Sequence, residues 1–227
     1  MLPLRDNVPT RRFPVVTVAI IAANFVVWFW ELGASETRID RYAFFPCDVH
    51  GPCLTPLRHV GWEEGAFTSM FLHGGWAHIL GNMLFLWIFG NNVEDALGPV
   101  RYLLFYLGGG LAATAGQTFV TIHWGGAAAA SVPNLGASGA IAAVLGAYIV
   151  ILPGASVLTL LGIFIVPVPA AVFLGFWFLL QLWEGGFGIT HPGSGGGVAF
   201  FAHVSGFVYG VVVARLLAAR SPVRPRW

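Results

Sequence analysis

The sequence predicts an all-α protein embedded in a lipid bilayer, and three observations carry that prediction. Of the 227 residues, 57% are hydrophobic and only 9% charged, and the mean hydropathy is +0.77, which leaves too little polar surface to coat a soluble globule of this size. Six apolar segments stand out, at about 15 to 30, 67 to 90, 100 to 121, 136 to 152, 163 to 183 and 198 to 218. Each is near the roughly 20 residues that one helical crossing of a bilayer core needs. Six crossings put both termini on one side, and Arg5, Arg11, Arg12, Arg101, Arg215, Arg220, Arg224 and Arg226 then share it, against Arg38, Arg41 and Arg58 on the other. By the positive-inside rule both termini are cytoplasmic. The expected organisation is a cytoplasmic segment at 1–14, a six-helix membrane domain at 15–218 and a cytoplasmic tail at 219–227.

Residues 1–14 carry Arg5, Arg11 and Arg12 ahead of the first apolar run, in the manner of a secretory signal. The run from Val15 to Trp30 ends in bulky aromatics without a small-residue cleavage site, so it reads as a retained first span. The connection 31–66 is too long for a turn, is rich in Pro and holds most of the acidic residues; it packs onto the membrane face outside the cytoplasm. Within it Cys47 and Cys53 bracket a polar loop, and two readings of the pair stay open. One is a disulfide, if the loop faces an oxidising compartment; the other is a metal site with His50, which falls short of the usual tetrahedral ligand count. The 153–169 connection has soft boundaries, because Val157 to Val166 is itself apolar and only Pro153, Pro167 and Pro169 punctuate it. No internal repeat of the kind that builds transporters is visible. Acidic and basic residues nearly cancel, so no nucleic-acid partner is expected.

Polar side chains inside apolar runs are the informative ones, since burial in a membrane without a partner costs several kcal/mol. His78 and Asn82 sit four apart and share one helix face. Ser138 opens the fourth segment and His203 lies inside the sixth. Singly, such residues are more often packing glue between helices than chemistry. The flanks change the balance: Ser138, Ala142 and Gly146 form one stripe, and His203, Gly206 and Gly210 another, in which the imidazole is the only large side chain. Two smooth faces let the backbones approach and bring the imidazole to a hydroxyl, which is what a serine nucleophile needs. No acidic residue falls in the fourth or sixth segment, or in the fifth before Glu184, to orient the ring, so the site is a dyad. The Ser138 backbone N–H, Asn82 and His78 are candidate oxyanion donors. The soluble nucleophile elbow Gly-x-Ser-x-Gly is excluded by Ala140 and by the membrane context.

These residues match a known family. His-Ile-Leu-Gly-Asn at 78–82, Gly-Ala-Ser-Gly at 136–139, Ala-His-Val-Ser-Gly-Phe-Val-Tyr-Gly at 202–210, and Glu94 with Gly98, Arg101 and Tyr102 occur in the order and on the segments of rhomboid intramembrane proteases, which the chain resembles over essentially its whole length. The resemblance implies a six-transmembrane-helix rhomboid-like bundle whose fourth helix starts below the outer surface. It implies that Ser138 attacks a peptide bond in or near a substrate's transmembrane segment, with His203 as base and then acid, and that His78 and Asn82 line the oxyanion hole. It further suggests that substrates approach laterally between the second and fifth helices, which the bulky Trp177, Phe178 and Trp183 fit, and it implies no metal or organic cofactor. His73 also matches a family histidine but reads as structural, supporting the loop and its hydrogen bonds. Two departures stand out. Glu64-Gly65 replaces a Trp-Arg pair that bacterial members carry before the second helix, and Ala142 stands where some members place an aromatic ring against the catalytic histidine. The second departure leaves His203 to be held mainly by backbone packing.

The expected function is therefore a serine endopeptidase for membrane-anchored proteins, in a multi-pass protein of a bacterial inner membrane whose partners are lipid and transmembrane substrates. A catalytically silent rhomboid-like binder of membrane segments is the alternative. A channel or transporter is disfavoured because no carboxylate lies at mid-span. His50, His59, His123 and His191 fall in loops, where solvated or locally bonded roles are expected.

Overall fold

Apolar runs become helices in the computed structural model of the chain, which describes residues 1–54, 59–190 and 199–220. Arg58, His191 and the tail beyond Arg220 lie outside those residues. In chain order the elements are β1 (Leu2–Asp6), α1 (Val15–Glu31), α2 (Glu36–Asp40), α3 (Trp62–Thr68), α4 (Trp76–Phe85), α5 (Asn91–Leu97), α6 (Pro99–Val120), α7 (Gly126–Ala130), α8 (Ser138–Ile151), β2 (Ser156–Leu161), β3 (Phe164–Pro169), α9 (Ala170–Thr190) and α10 (Phe200–Arg220). A π-helical turn at Leu86–Gly90 joins α4 to α5, and another at Thr121–Gly125 joins α6 to α7. Among the described residues three stretches are long and apolar enough to cross a membrane, Pro99–Ala130, Ala170–Gly188 and Phe200–Leu217, with α1 and α8 as shorter apolar helices.

The helix ends explain several sequence features. Glu94 of α5 accepts the backbone N–H groups of Val16 (2.9 Å) and Thr17 (2.7 Å) and the Thr17 hydroxyl (2.8 Å), so its carboxylate meets the free donors at the start of α1. Between α5 and α6 the chain reverses at Gly98, whose φ of 79° suits glycine, and Pro99 opens the next helix, where a missing N–H costs nothing. The apolar run 67–90, read as one segment, is broken. α3 passes through a 3-10 turn at Ser69–Phe71 into extended Leu72, and the helix restarts at Trp76, after Gly74 and Gly75.

The expectation of an all-α chain is corrected by a three-stranded antiparallel sheet of order β1-β2-β3. β2 and β3 form a hairpin across Gly162 (φ 61°) within the apolar stretch 157–166, and β1 pairs Leu2 with Leu160 and Asp6 with Val157. The side chain of Asp6 fixes this sheet to the helices, accepting from Asn92 Nδ2 and from the Tyr148 hydroxyl, both at 2.6 Å. Residues 1–14 are thereby tied to the rest of the fold.

At the other end of α8 stands the 31–66 loop. Cys47 and Cys53 are joined in a disulfide, which takes both thiolates out of any metal site. Ala43, Phe45, Cys47, Leu72 and Ala130 form a small second core beneath it. Phe45 stacks on the His59 ring at 3.9 Å, and His59 Nδ1–H donates to Asp48 at 3.0 Å. The loop reaches the segment before α8 through a two-bond bridge: Phe44 N–H to Asn134 O (3.2 Å) and Asn134 N–H to Phe44 O (2.7 Å).

The main core lies where α8 runs through the middle of the bundle, buried along Gly139 to Tyr148 and flanked by α6 and α10. Small residues make this passage tight. A Cβ on Gly206 would overlap the Gly139 carbonyl oxygen, one on Gly210 the Ala143 carbonyl, and one on Gly146 the Phe207 carbonyl. Close approach of α8 and α10 is therefore backbone to backbone, as the small-residue stripes predict, with Gly139 and Ala143 joining Ala142 and Gly146 in the contact.

Candidate active site

Three elements converge on Ser138. It is the first residue of α8, which at 14 residues is about 21 Å long, short of the roughly 30 Å of a bilayer's apolar core. The segment leading to it is held by Gly136 N–H donating to Ser69 O at 2.8 Å. Gly136 has φ 121°, in the region that favours glycine, and a Cβ there would stand 2.8 Å from Cε1 and Nε2 of His78. Glycine is required at 136 on both counts, by the turn into α8 and by the ring pressed against it.

His203, on the face of α10 that meets α8, brings Nε2 to 2.8 Å from Ser138 Oγ. Its other nitrogen, Nδ1, lies 2.6 Å from Oε1 of Gln181 on α9. The Gln oxygen can only accept, so Nδ1 carries the proton and Nε2 is free to accept from the Ser138 hydroxyl. Trp177, one turn before Gln181, flanks the imidazole with ring centroids 5.8 Å apart and also contacts Phe207 at 6.2 Å. The expectation that His203 is held mainly by backbone packing is thus corrected. Ala142 is fully buried against Gly206, and the aromatic contact comes from α9. Gln181 is the first polar side chain along α9, so the criterion that singled out Ser138 and His203 also applies to it.

α4 carries His78, which lies against Gly136, and Asn82 one turn further on. Gly74 N–H donates to His78 Nδ1 at 3.3 Å, which leaves the proton on Nε2, the atom beside Gly136. Asn82 is 8% exposed, and its Nδ2 has no hydrogen-bond partner among the described residues. A buried amide donor without an acceptor costs about 1–3 kcal/mol, so it is a feature to be explained. His73 has a supporting place: its backbone N–H donates to Glu31 (3.0 Å), its Nδ1–H to Phe71 O (3.2 Å), and its ring meets that of His78 edge-on at 5.1 Å. A cavity of about 30 Å³ beside Ser138, lined by Met70, Gly110 and Gln117 among others, is large enough for a water molecule. Chemically, a hydroxyl hydrogen-bonded to an imidazole of fixed tautomer, with the His78 ring beside the preceding turn, is an arrangement suited to acyl transfer.

Comparison with known proteins identifies a family. The family profile described as Rhomboid domain matches residues 61–220. YdcA of Bacillus subtilis, a rhomboid by name, is 33% identical over 140 residues, covering 61% of this chain and 63% of that protein. Rhomboid protein 1 of Saccharomyces cerevisiae mitochondria is 32% identical over 160 residues, 70% of this chain and 41% of its own length. The protein named Rhomboid protease GluP of Bacillus subtilis is 32% identical over 135 residues, 59% of this chain and 24% of its own length. The chain thus spans less than two thirds of the length of these relatives.

Proposed function

The chain belongs to the rhomboid family of integral membrane proteins, and from that premise we propose that it is a serine endopeptidase that cleaves membrane-anchored proteins in or near a transmembrane segment. The observation that carries the reading is the 2.8 Å hydrogen bond from Ser138 Oγ to His203 Nε2. Ser138 Oγ attacks the carbonyl carbon of the scissile peptide while its proton passes to His203 Nε2. The C–N bond then breaks as that proton moves to the amine nitrogen. A water deprotonated by the same ring nitrogen hydrolyses the acyl ester, and Ser138 recovers its proton. The negative oxygen formed in each half is met by the Ser138 backbone N–H, at a helix start where amides lack partners, by Asn82 Nδ2 and by His78 Nε2–H. The otherwise costly unpaired amide of Asn82 supports that role.

The membrane arrangement in this reading has six crossings: α1, α4 with α5, α6, α8, α9 and α10. Both termini and the sheet are cytoplasmic, in a bacterial inner membrane. The arginines support that orientation, and the Cys47–Cys53 disulfide supports it independently, since it suits a loop facing an oxidising compartment. Substrates are transmembrane proteins whose helix is locally open, because a regular helix hides its carbonyls from attack. They approach between α4 and α9, where Trp183 is exposed; Trp177 and Phe178, expected beside that path, pack instead against Phe207 of α10.

The test is cleavage of a transmembrane substrate by the purified chain, together with covalent labelling by a fluorophosphonate. Ser138→Ala and His203→Ala should each abolish cleavage in protein that remains folded, and labelling should require Ser138. Full cleavage by Ser138→Ala would overturn the reading; absence of labelling in folded wild-type protein would favour a silent binder of membrane segments.

A further inference from the structure

We propose that Gln181 is a positioning residue for His203, a neutral amide standing where soluble serine proteases use a carboxylate; this rests on the reading of Ser138 and His203 as the catalytic pair. A neutral imidazole has one proton for two nitrogens, and only the tautomer with hydrogen on Nδ1 can accept from Ser138. That Nδ1–H lies at a partly buried site between helices, where an unpaired donor is expensive. Oε1 of Gln181 accepts it at 2.6 Å. The bond selects the tautomer, sets the ring's rotation about χ2 and aims Nε2 at Oγ. Trp177, four residues earlier and so on the same face of α9, closes the flank of the ring. No acidic residue falls in α8, in α9 before Glu184 or in α10, so an amide is what these helices offer.

The choice of amide has a physical reason. A carboxylate would orient the ring equally well and would stabilise the imidazolium that forms during attack, but it would have to be ionised among apolar helices, which is costly. A glutamine needs no charge. The site gives up part of the electrostatic help and keeps the geometry. The ordinary alternative, that Gln181 is interhelical glue, predicts that an apolar side chain of the same shape would serve as well.

Two variants of the chain separate the alternatives. Gln181→Met keeps the length and removes the acceptor; Gln181→Glu keeps the acceptor and adds a charge. Among the described residues His78 on α4 is a titratable group near His203, and both variants leave it in place. Gln181→Met should lower kcat and the rate of fluorophosphonate labelling together, by about 10- to 100-fold, with KM within about twofold of wild type. Gln181→Glu should recover the rate to within about threefold and move the acid limb of the pH profile to higher pH, because a carboxylate facing the ring favours its protonated form. Equal kcat and labelling rates in wild type and Gln181→Met would overturn the proposal, as would a Gln181→Glu variant that is as slow as Gln181→Met with an unmoved pH profile. A Gln181→Met protein that does not fold leaves the decision to Gln181→Glu. The failure of the catalytic pair itself would show differently, as activity surviving in Ser138→Ala.

Discussion

Gly206 faces the carbonyl oxygen of Gly139 with no room for a side-chain atom between them, and this contact lies one turn from His203 and one residue from Ser138. The separation of hydroxyl and imidazole is therefore set by two backbones. Gly206→Val should push α10 away from α8, cost about 1–3 kcal/mol as an overpacked core does, and remove activity. Thermal unfolding in detergent together with fluorophosphonate labelling checks this; a variant with unchanged melting and labelling would mean that the seam can relax.

Asn82 offers a cleaner separation of activity from stability. Its Nδ2 has no partner among the described residues, so Asn82→Ala should leave the melting temperature unchanged or slightly raised while kcat falls by about 10²- to 10³-fold. Steady-state kinetics beside calorimetry decides it, and an unchanged kcat would remove Asn82 from the oxyanion hole.

Glu94 is expected to behave in the opposite way. Its carboxylate accepts three hydrogen bonds at the start of α1, so Glu94→Ala should cost about 2–3 kcal/mol of stability, with Glu94→Gln losing less because one amide oxygen remains. Denaturant titration of the three proteins gives the order.

Removing the disulfide tests the outer loop. Closing a loop of this size in the unfolded chain is worth roughly 2 kcal/mol, so the Cys47→Ser, Cys53→Ser double variant should lose about that much. Wild-type protein under reductant should match it, and the labelling rate at Ser138 should persist below the lowered melting temperature. A double variant as stable as the oxidised wild type would mean the bridge constrains nothing that the small core beneath it does not.

Asp6 gives a pH dependence with a definite sign. Burial pushes its carboxyl above the ordinary aspartate range, against the hydrogen bonds from Tyr148 and Asn92. The folded state then holds its proton more tightly than the unfolded chain, whose aspartate titrates near about 4. This contribution is fully present below that unfolded value and is lost as pH rises through the raised folded value. Asp6→Asn should flatten the dependence, as seen in melting temperature against pH; an equally steep profile in Asp6→Asn would assign it to another group.

The residues of the candidate site could be picked out because a membrane makes polar residues conspicuous. Ser138, His203, His78 and Asn82 stand out against apolar runs, and the glycines at 206 and 210 show which faces can touch. Gln181 met the same criterion but sits two residues before Trp183 and three before Glu184, where it reads as the polar end of a span; its partner is 22 residues away and only the packing of α9 on α10 joins them. The sheet was hidden for another reason. An apolar run such as 157–166 has no period that separates a buried strand from a helix, and β1, with Pro3 and Arg5, looks like a charged flank. The Cys47 and Cys53 spacing is compatible with a bridge, but only the fold beneath the loop brings the sulfurs together.

The pairing of Leu2 with Leu160 and Asp6 with Val157 joins two distant parts of the sequence. β1 and β2 are far apart in sequence, so this pairing forms only after β2 has been made, beyond α8, whereas Asn92 offers Asp6 a partner earlier in the chain. The Tyr148 hydroxyl bonded to Asp6 then ties the same strand to α8, the helix that begins at Ser138, so the seating of that helix is coupled to the first residues of the chain.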